Sequence, residues 1–152
     1  IAVDDGVNAF PVNQQVGSFI IDRQKLEQIL TQLVDNAVKF TKNGLVTVSA
    51  DCTSTTGNDV VKVVVQDTGC GISEADLAQL FEQFTVLGDS SSSKYGGTGL
   101  GLALSRKLTV LMGGEISVTS ELGKGSAFSA TFPVRRPVPE VNSTSPAANK
   151  AA

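Results

Sequence analysis

Two glycine-rich segments carry most of the chemical information in this chain: DTGCGI at Asp67 to Ile72 and GGTGLGL at Gly96 to Leu102. They are preceded by a helix-like stretch that ends NAVKFT at Asn36 to Thr41. Glycine lets a backbone approach a phosphate or a base edge without a Cβ in the way, and a loop that opens into a helix presents free N–H groups to an anion. Together the segments describe a nucleotide pocket. Their spacing fails both common phosphate-binding fingerprints. A dinucleotide motif needs glycine at position 102 after Gly97 and Gly99, where Leu102 stands, and no segment fits GxxxxGK[ST]. The sequence contains no histidine. Chemistry that needs an imidazole must borrow it from another chain or domain, and serine–histidine hydrolysis is excluded.

The elements that must hold these residues can be read from periodicity. Asp22 is a plausible N-cap for a helix carrying Leu26, Ile29, Leu30, Leu33, Ala37 and Val38 on one face. At about 100° per residue, Gln28, Gln32, Asn36 and Lys39 fall on a separate stripe, with Asn36 at the edge of the apolar face, where it can look into a cleft. Asn43 and Gly44 end the helix, Leu45 to Ala50 alternates as a half-buried strand, and Thr53 to Asp59 reads as a polar hairpin loop. Val60 to Gln66 is a second strand, rich in β-branched residues, and DTGCG sits where it stops. Ser73 and Asp76 resemble a capping box for a helix with Leu77, Leu80, Phe81 and Phe84 on its apolar stripe. Thr85 to Lys94, with four consecutive serines, loses periodicity and is placed like a lid. Helical spacing returns through Leu102, Leu104, Leu108 and Leu111 until Gly113 and Gly114, and two strands follow at Glu115 to Ser120 and Ser126 to Phe132.

Composition narrows the function classes. The 152 residues are 41% hydrophobic, enough for one domain with a real core, preceded by a segment at 1–18, spanning 19–133, and followed by a linker at 134–152. Twelve basic against 15 acidic residues give a net charge of -3, without the basic stripe that nucleic-acid binding needs. Cys52 and Cys70 form no CxxC pair and read as reduced thiols in a cytoplasmic setting. Apolar runs are far shorter than the ~20 residues of a membrane span, so no direct membrane insertion is expected. A chain that starts at Ile1 reads as a piece of a longer polypeptide.

At this point the residues resemble the catalytic, ATP-binding domain of sensor histidine kinases, within the GHKL ATPase superfamily that includes gyrase. Four boxes occur in family order: the N box as ILTQLVDNAVKFT, the G1 box as DTGCGI, the F box as LFEQF and the G2 box as GGTGLGLAL. LMGGEISVTSELGKGSAF, at Leu111 to Phe128, looks like the hybrid-type subgroup. The resemblance implies an α+β fold, a two-layer α/β sandwich in which a mixed, mostly antiparallel sheet is covered on one face by helices. It also implies ATP and Mg²⁺ as cofactors. Asn36 resembles the asparagine whose oxygen holds Mg²⁺, Lys39 the basic residue that meets the phosphates, and Phe40 the aromatic flanking the nucleotide. Asp67 resembles the carboxylate that accepts the adenine amine, with Gly69, Gly71 and Ile72 around the base. Gly97, Thr98, Gly99, Leu100, Gly101 and Leu102 would line the triphosphate, and Ser126 stands where the family often has an adenine-binding threonine.

Two departures stand out. Gln32 replaces the usual asparagine at the first N-box position, where gyrase relatives carry a water-activating glutamate, and glutamine cannot act as a base. The F box reads FEQF where FEPF is frequent. The function implied is that of a protein-histidine kinase catalytic domain. It would present the γ-phosphate of Mg-ATP to a histidine on a separate dimerisation and phosphoacceptor domain of a homodimeric two-component kinase, with a response-regulator receiver domain as further partner. Other readings remain: a non-catalytic docking module on the same fold, a serine-directed relative such as an anti-sigma-factor kinase, and an aspartic protease, whose active-site triplet is also DTG. Strong helical periodicity at Asp22 to Lys42 and Leu100 to Met112 opposes the protease, which is nearly all strand.

Overall fold

A computed structural model of the protein describes residues 19–55, 58–82 and 100–136. The first helix, α1 (Arg23–Phe40), starts where the Asp22 carboxylate accepts the Lys25 amide at 3.1 Å, satisfying one of the free N–H groups of a first helical turn. Ile29, Leu33 and Ala37 repeat at the helical period and are all buried. Val38 is exposed despite its apolar character, because it falls off this stripe.

Strands β1 (Val46–Thr55), β2 (Asn58–Asp67), β3 (Glu115–Glu121) and β4 (Gly125–Val134) make one sheet in the order β1-β2-β4-β3. Every pairing among these strands is antiparallel. Alternation decides which face meets the helices: Val61, Val63 and Val65 of β2 and Phe128, Ala130, Phe132 and Val134 of β4 are buried. The register stacks them in rows across the sheet. Val63, Ala130 and Ile116 form one row, and Val65, Phe128 and Val118 the next. With Ile29, Leu33 and Leu80 these rows build a single core between the sheet and the helices. The architecture is thus the expected α+β two-layer sandwich.

Three details depart from the periodicity. The strands β1 and β2 continue through the stretch that reads as a loop, with Ser54 opposite Asp59 and Thr55 opposite Asn58. Cross-strand polar pairing overrides weak strand propensity there: Ser54 Oγ bonds Asp59, while Arg136 donates to Asp59 Oδ2 at 2.9 Å and to Ser54 Oγ at 2.7 Å. The helix after the capping box, α2, covers only Glu74–Leu77 and gives way to tighter turns through Glu82. Its Ser73 cap forms as expected, accepting the Asp76 amide at 3.2 Å.

In α3 (Gly101–Leu111) the buried residues are Ala103, Ser105 and Thr109, whereas Leu104 and Leu111 are exposed. Small side chains face inward because α3 packs closely against its neighbours, leaving the leucines at the margin. Phe84 and the lid-like stretch Thr85 to Lys94 lie outside the described residues. Where the chain enters and leaves the sheet, the Ile20 amide donates to the Arg135 carbonyl at 2.8 Å in an antiparallel bridge. Among the described residues no helix is long and apolar enough to cross a membrane.

Phe132 is fully buried in the central strand β4, so Phe132→Ala is expected to destabilise the domain by about 3–5 kcal/mol. Chemical denaturation followed by circular dichroism checks this; a loss below about 1 kcal/mol would mean that the row structure of the core is wrong.

Candidate nucleotide site

The apolar rows of the sheet end in a polar one. The next row along the same face is Asp67, Ser126 and Ser120, contributed by β2, β4 and β3. The pleat that points valines and phenylalanines at the helices therefore points a carboxylate and two hydroxyls there too. Asp67 is only 5% exposed. Burying a carboxylate is costly unless it is hydrogen-bonded, and here the Gly69 amide donates to Oδ1 at 2.8 Å while the Ser126 amide also bonds the carboxylate. Burial pushes the Asp67 carboxyl above its ordinary value, with the two amides pulling the other way. An ionised carboxylate has roughly four acceptor sites, so these two donors leave it capacity for a ligand.

Ser126 is 7% exposed, with its Oγ 2.9 Å from Ser120 Oγ. Ser120 Oγ donates to the Gly125 carbonyl at 2.8 Å and accepts the Ile72 amide at 2.8 Å. A hydroxyl has one proton to give. Ser126 is accordingly the donor in the serine pair and keeps its own lone pairs for other partners. Ser120 was not singled out by the sequence reading. Its signal is that SELGKGS turns tightly enough to set serines 120 and 126 opposite each other.

The DTGCGI glycines fasten the loop to its surroundings. A Cβ on Gly69 would stand 2.4 Å from the Phe40 carbonyl oxygen; on Gly71, whose φ is +71, it would stand 2.1 Å from the Glu121 carbonyl oxygen. Backbone bonds run through the same gaps. The Cys70 amide donates to the Phe40 carbonyl at 3.4 Å, and the Gly123 amide to the Cys70 carbonyl at 2.7 Å. Absence of a Cβ thus welds the end of α1 and the β3–β4 turn to the loop bearing Asp67. Ile72 is half-buried and packs on the core.

The last turns of α1 carry the other candidates. Asn36 and Lys39 are half-buried, and Phe40 is 40% exposed. Lys39 Nζ stands 5.4 Å from the centroid of the Phe40 ring. Beside Gln32, one turn earlier on α1, α3 begins at Gly101, with Leu100 at the N-cap offering no side-chain acceptor to the first-turn amides. Leu102 is half-buried against the core. Gly97, Thr98 and Gly99 lie outside the described residues. Among the described residues no three His, Cys, Asp or Glu side chains converge on a metal position. A single amide oxygen at Asn36 fits a hard cation such as Mg²⁺ that keeps waters and takes further oxygens from substrate phosphates, as opposed to an all-protein cage.

Comparison with known proteins agrees with this geometry. Hybrid signal transduction histidine kinase B of Dictyostelium discoideum is 40% identical over 113 residues, covering 74% of this chain and 6% of that protein. Sensor histidine kinase GacS of Pseudomonas protegens is 44% identical over 112 residues, covering 73% of this chain and 12% of its own. The chain therefore spans only a small part of the length of such relatives. Among solved structures, full-length ShkA in complex with AMPPNP superposes with a TM-score of 0.72 at 33% identity, over 88% of this chain and 27% of that one. The catalytic domain of histidine kinase ThkA superposes with a TM-score of 0.66 at 28% identity, over 82% of this chain and 78% of that one. The aspartic-protease reading of DTG ends here, since the triplet sits in a helix-covered α+β fold. Residues 21–136 match the family described as "Histidine kinase-, DNA gyrase B-, and HSP90-like ATPase", and with the polar row, the glycine-fastened loop and these relatives in agreement, the chain belongs to that family.

Proposed function

We propose that this domain binds Mg-ATP and presents the γ-phosphate for transfer to a histidine on a separate dimerisation and phosphoacceptor domain of a two-component sensor kinase. The observation that carries the reading is the buried Asp67 carboxylate, held by two backbone amides yet with acceptor capacity left, at the end of the core rows. An adenine exocyclic amine supplies the missing donor. Guanine presents a carbonyl at that place, so two acceptors would face each other and leave a buried charge unpaired. Ser126 adds a hydroxyl acceptor beside Asp67, and Phe40 offers its ring.

From the adenine the polyphosphate would run toward the α3 N-terminus, whose uncapped amides and helix dipole favour an anion. Asn36 would hold Mg²⁺ and Lys39 would swing from the Phe40 ring to the phosphates. A bound Mg²⁺ neutralises charge on the phosphate oxygens; the chain's own residues orient and desolvate the nucleotide, which is most of what phosphoryl transfer asks of a protein. The acceptor must come from elsewhere, as this chain contains no histidine. A relative named as a hybrid kinase supports a receiver domain as further partner. Dependence on ATP and the free thiols Cys52 and Cys70 suit a cytoplasmic setting.

Calorimetric titration should give heat with Mg-ATP and a much weaker response with Mg-GTP; equal affinities would remove the adenine role of Asp67. Asp67→Asn should lower ATP affinity by about tenfold to a hundredfold, the value of a hydrogen bond to a charged group. In that variant an NH2 replaces an oxygen and faces either a backbone amide or the adenine amine, donor against donor. The same variant should melt no lower than the parent at neutral pH. A carboxyl raised by burial contributes stability only below its unfolded-state pKa and loses that contribution as pH rises through its folded value, so at neutral pH the ionised group opposes folding and its neutral isostere does not. A variant that melts much lower would make Asp67 a structural residue.

ATP binding has the opposite sign, because the amine needs the ionised carboxylate. Affinity should fall on acidification with a midpoint above the 3.8 of an ordinary aspartate, and Asp67→Asn should flatten that dependence. Asn36→Ala should abolish the gain in ATP affinity on adding Mg²⁺ while leaving adenosine binding intact; an undiminished Mg²⁺ effect would take Asn36 out of the metal role.

A further inference from the structure

Gln32 lies on α1 one turn before Asn36, and its side chain reaches α3. A Cβ built on Gly101 would stand 2.1 Å from Gln32 Oε1 and 3.1 Å from its Cδ, so the carboxamide occupies the volume that any other residue at 101 would fill. Gly101 is the first residue of α3. The two buried hydroxyls of α3 do not fix its seat. Ser105 Oγ donates to the Gly101 carbonyl at 2.9 Å and Thr109 Oγ1 to the Ser105 carbonyl at 2.7 Å, so both are satisfied within the helix itself. At the N-cap, Leu100 has no polar group with which to anchor the helix end. Among the described residues, what a side chain at the first position of α3 would meet is the tip of Gln32.

We propose that Gln32 is a positioning residue. By filling the space over Gly101 it sets the separation between the α3 N-terminal amides and Asn36 one turn further along α1, and so the span across which a polyphosphate is gripped. The inference rests on the Mg-ATP reading above. Two anchors that act on one flexible chain of phosphates must be held at a fixed spacing, since small misplacements of a binding group are costly. The adenine end depends less on this spacing. Asp67 and Ser126 belong to the sheet and are fixed by strand register, not by the contact between the helices.

The test compares Mg-ATP with adenosine, which carries no phosphate, by calorimetric titration of this chain and of Gln32→Ala, Gly101→Ala and the double variant, with melting curves for each. Gln32→Ala should weaken Mg-ATP binding about tenfold, as expected for a displaced anchor, and leave adenosine affinity unchanged. Gly101→Ala should push the flexible carboxamide aside and weaken Mg-ATP likewise. In the double variant the alanine methyl takes the place of the lost carboxamide, so it should bind Mg-ATP more tightly than Gln32→Ala alone. A parallel fall for both ligands in Gln32→Ala, or strictly additive effects in the double variant, would overturn the spacer role. If Gly101→Ala does not fold, the ATP-to-adenosine ratio of Gln32→Ala decides by itself. A parent chain that binds adenosine but gains nothing from the phosphates would instead remove the polyphosphate reading, an outcome separate from an unchanged ratio.

Discussion

The interaction on which the rest depends is the burial of one carboxylate at the end of an apolar sheet face. Asp67 occupies the same pleat as Val61, Val63 and Val65, and an ion in that position is tolerable only because backbone amides from Gly69 and Ser126 meet it. Each amide has a structural cost upstream. For Gly69 to donate, the loop must double back under α1, which leaves no room for a Cβ beside the Phe40 carbonyl. For Ser126 to donate, β4 must lie between β2 and β3 in the observed register. Strand order, loop glycines and buried acid are therefore one arrangement seen from three sides.

Much of this was legible in the sequence, and the reasons differ by element. The face of α1 was readable because Ile29, Leu33 and Ala37 repeat at the helical period and Asp22 caps it. The strands were readable as elements from their alternation, although β1 and β2 ran further than polar residues such as Ser54 and Asp59 suggest, because Arg136 reaches them from 77 and 82 positions away. Such a tie has no local signature. The inward face of α3 was misleading for a similar reason: leucines mark helical spacing, but the closeness of neighbouring elements selects Ala103, Ser105 and Thr109 for burial.

The candidate site was legible as motifs before it was legible as geometry. Asp67, Gly69, Gly71, Asn36 and Lys39 could be named from their spacing and resemblance, yet the work of the two glycines as contact points for the Phe40 and Glu121 carbonyls required the folded chain. Ser120 escaped notice because a lone serine in a strand is ordinary; it gains meaning only when register sets it beside Ser126 and under the Ile72 amide.

That the buried polar row and the core share a single pleat also constrains how this sequence can change over time. A strand alternates with a period of two, so inserting or deleting one residue between Asp67 and Val61, or between Ser126 and Phe132, sets the polar group and apolar residues beyond the change on opposite faces of the sheet. Drift in length is thereby confined to the turns, and the site proposed for the nucleotide inherits from folding a protection against frameshifted pairing that it could not maintain alone.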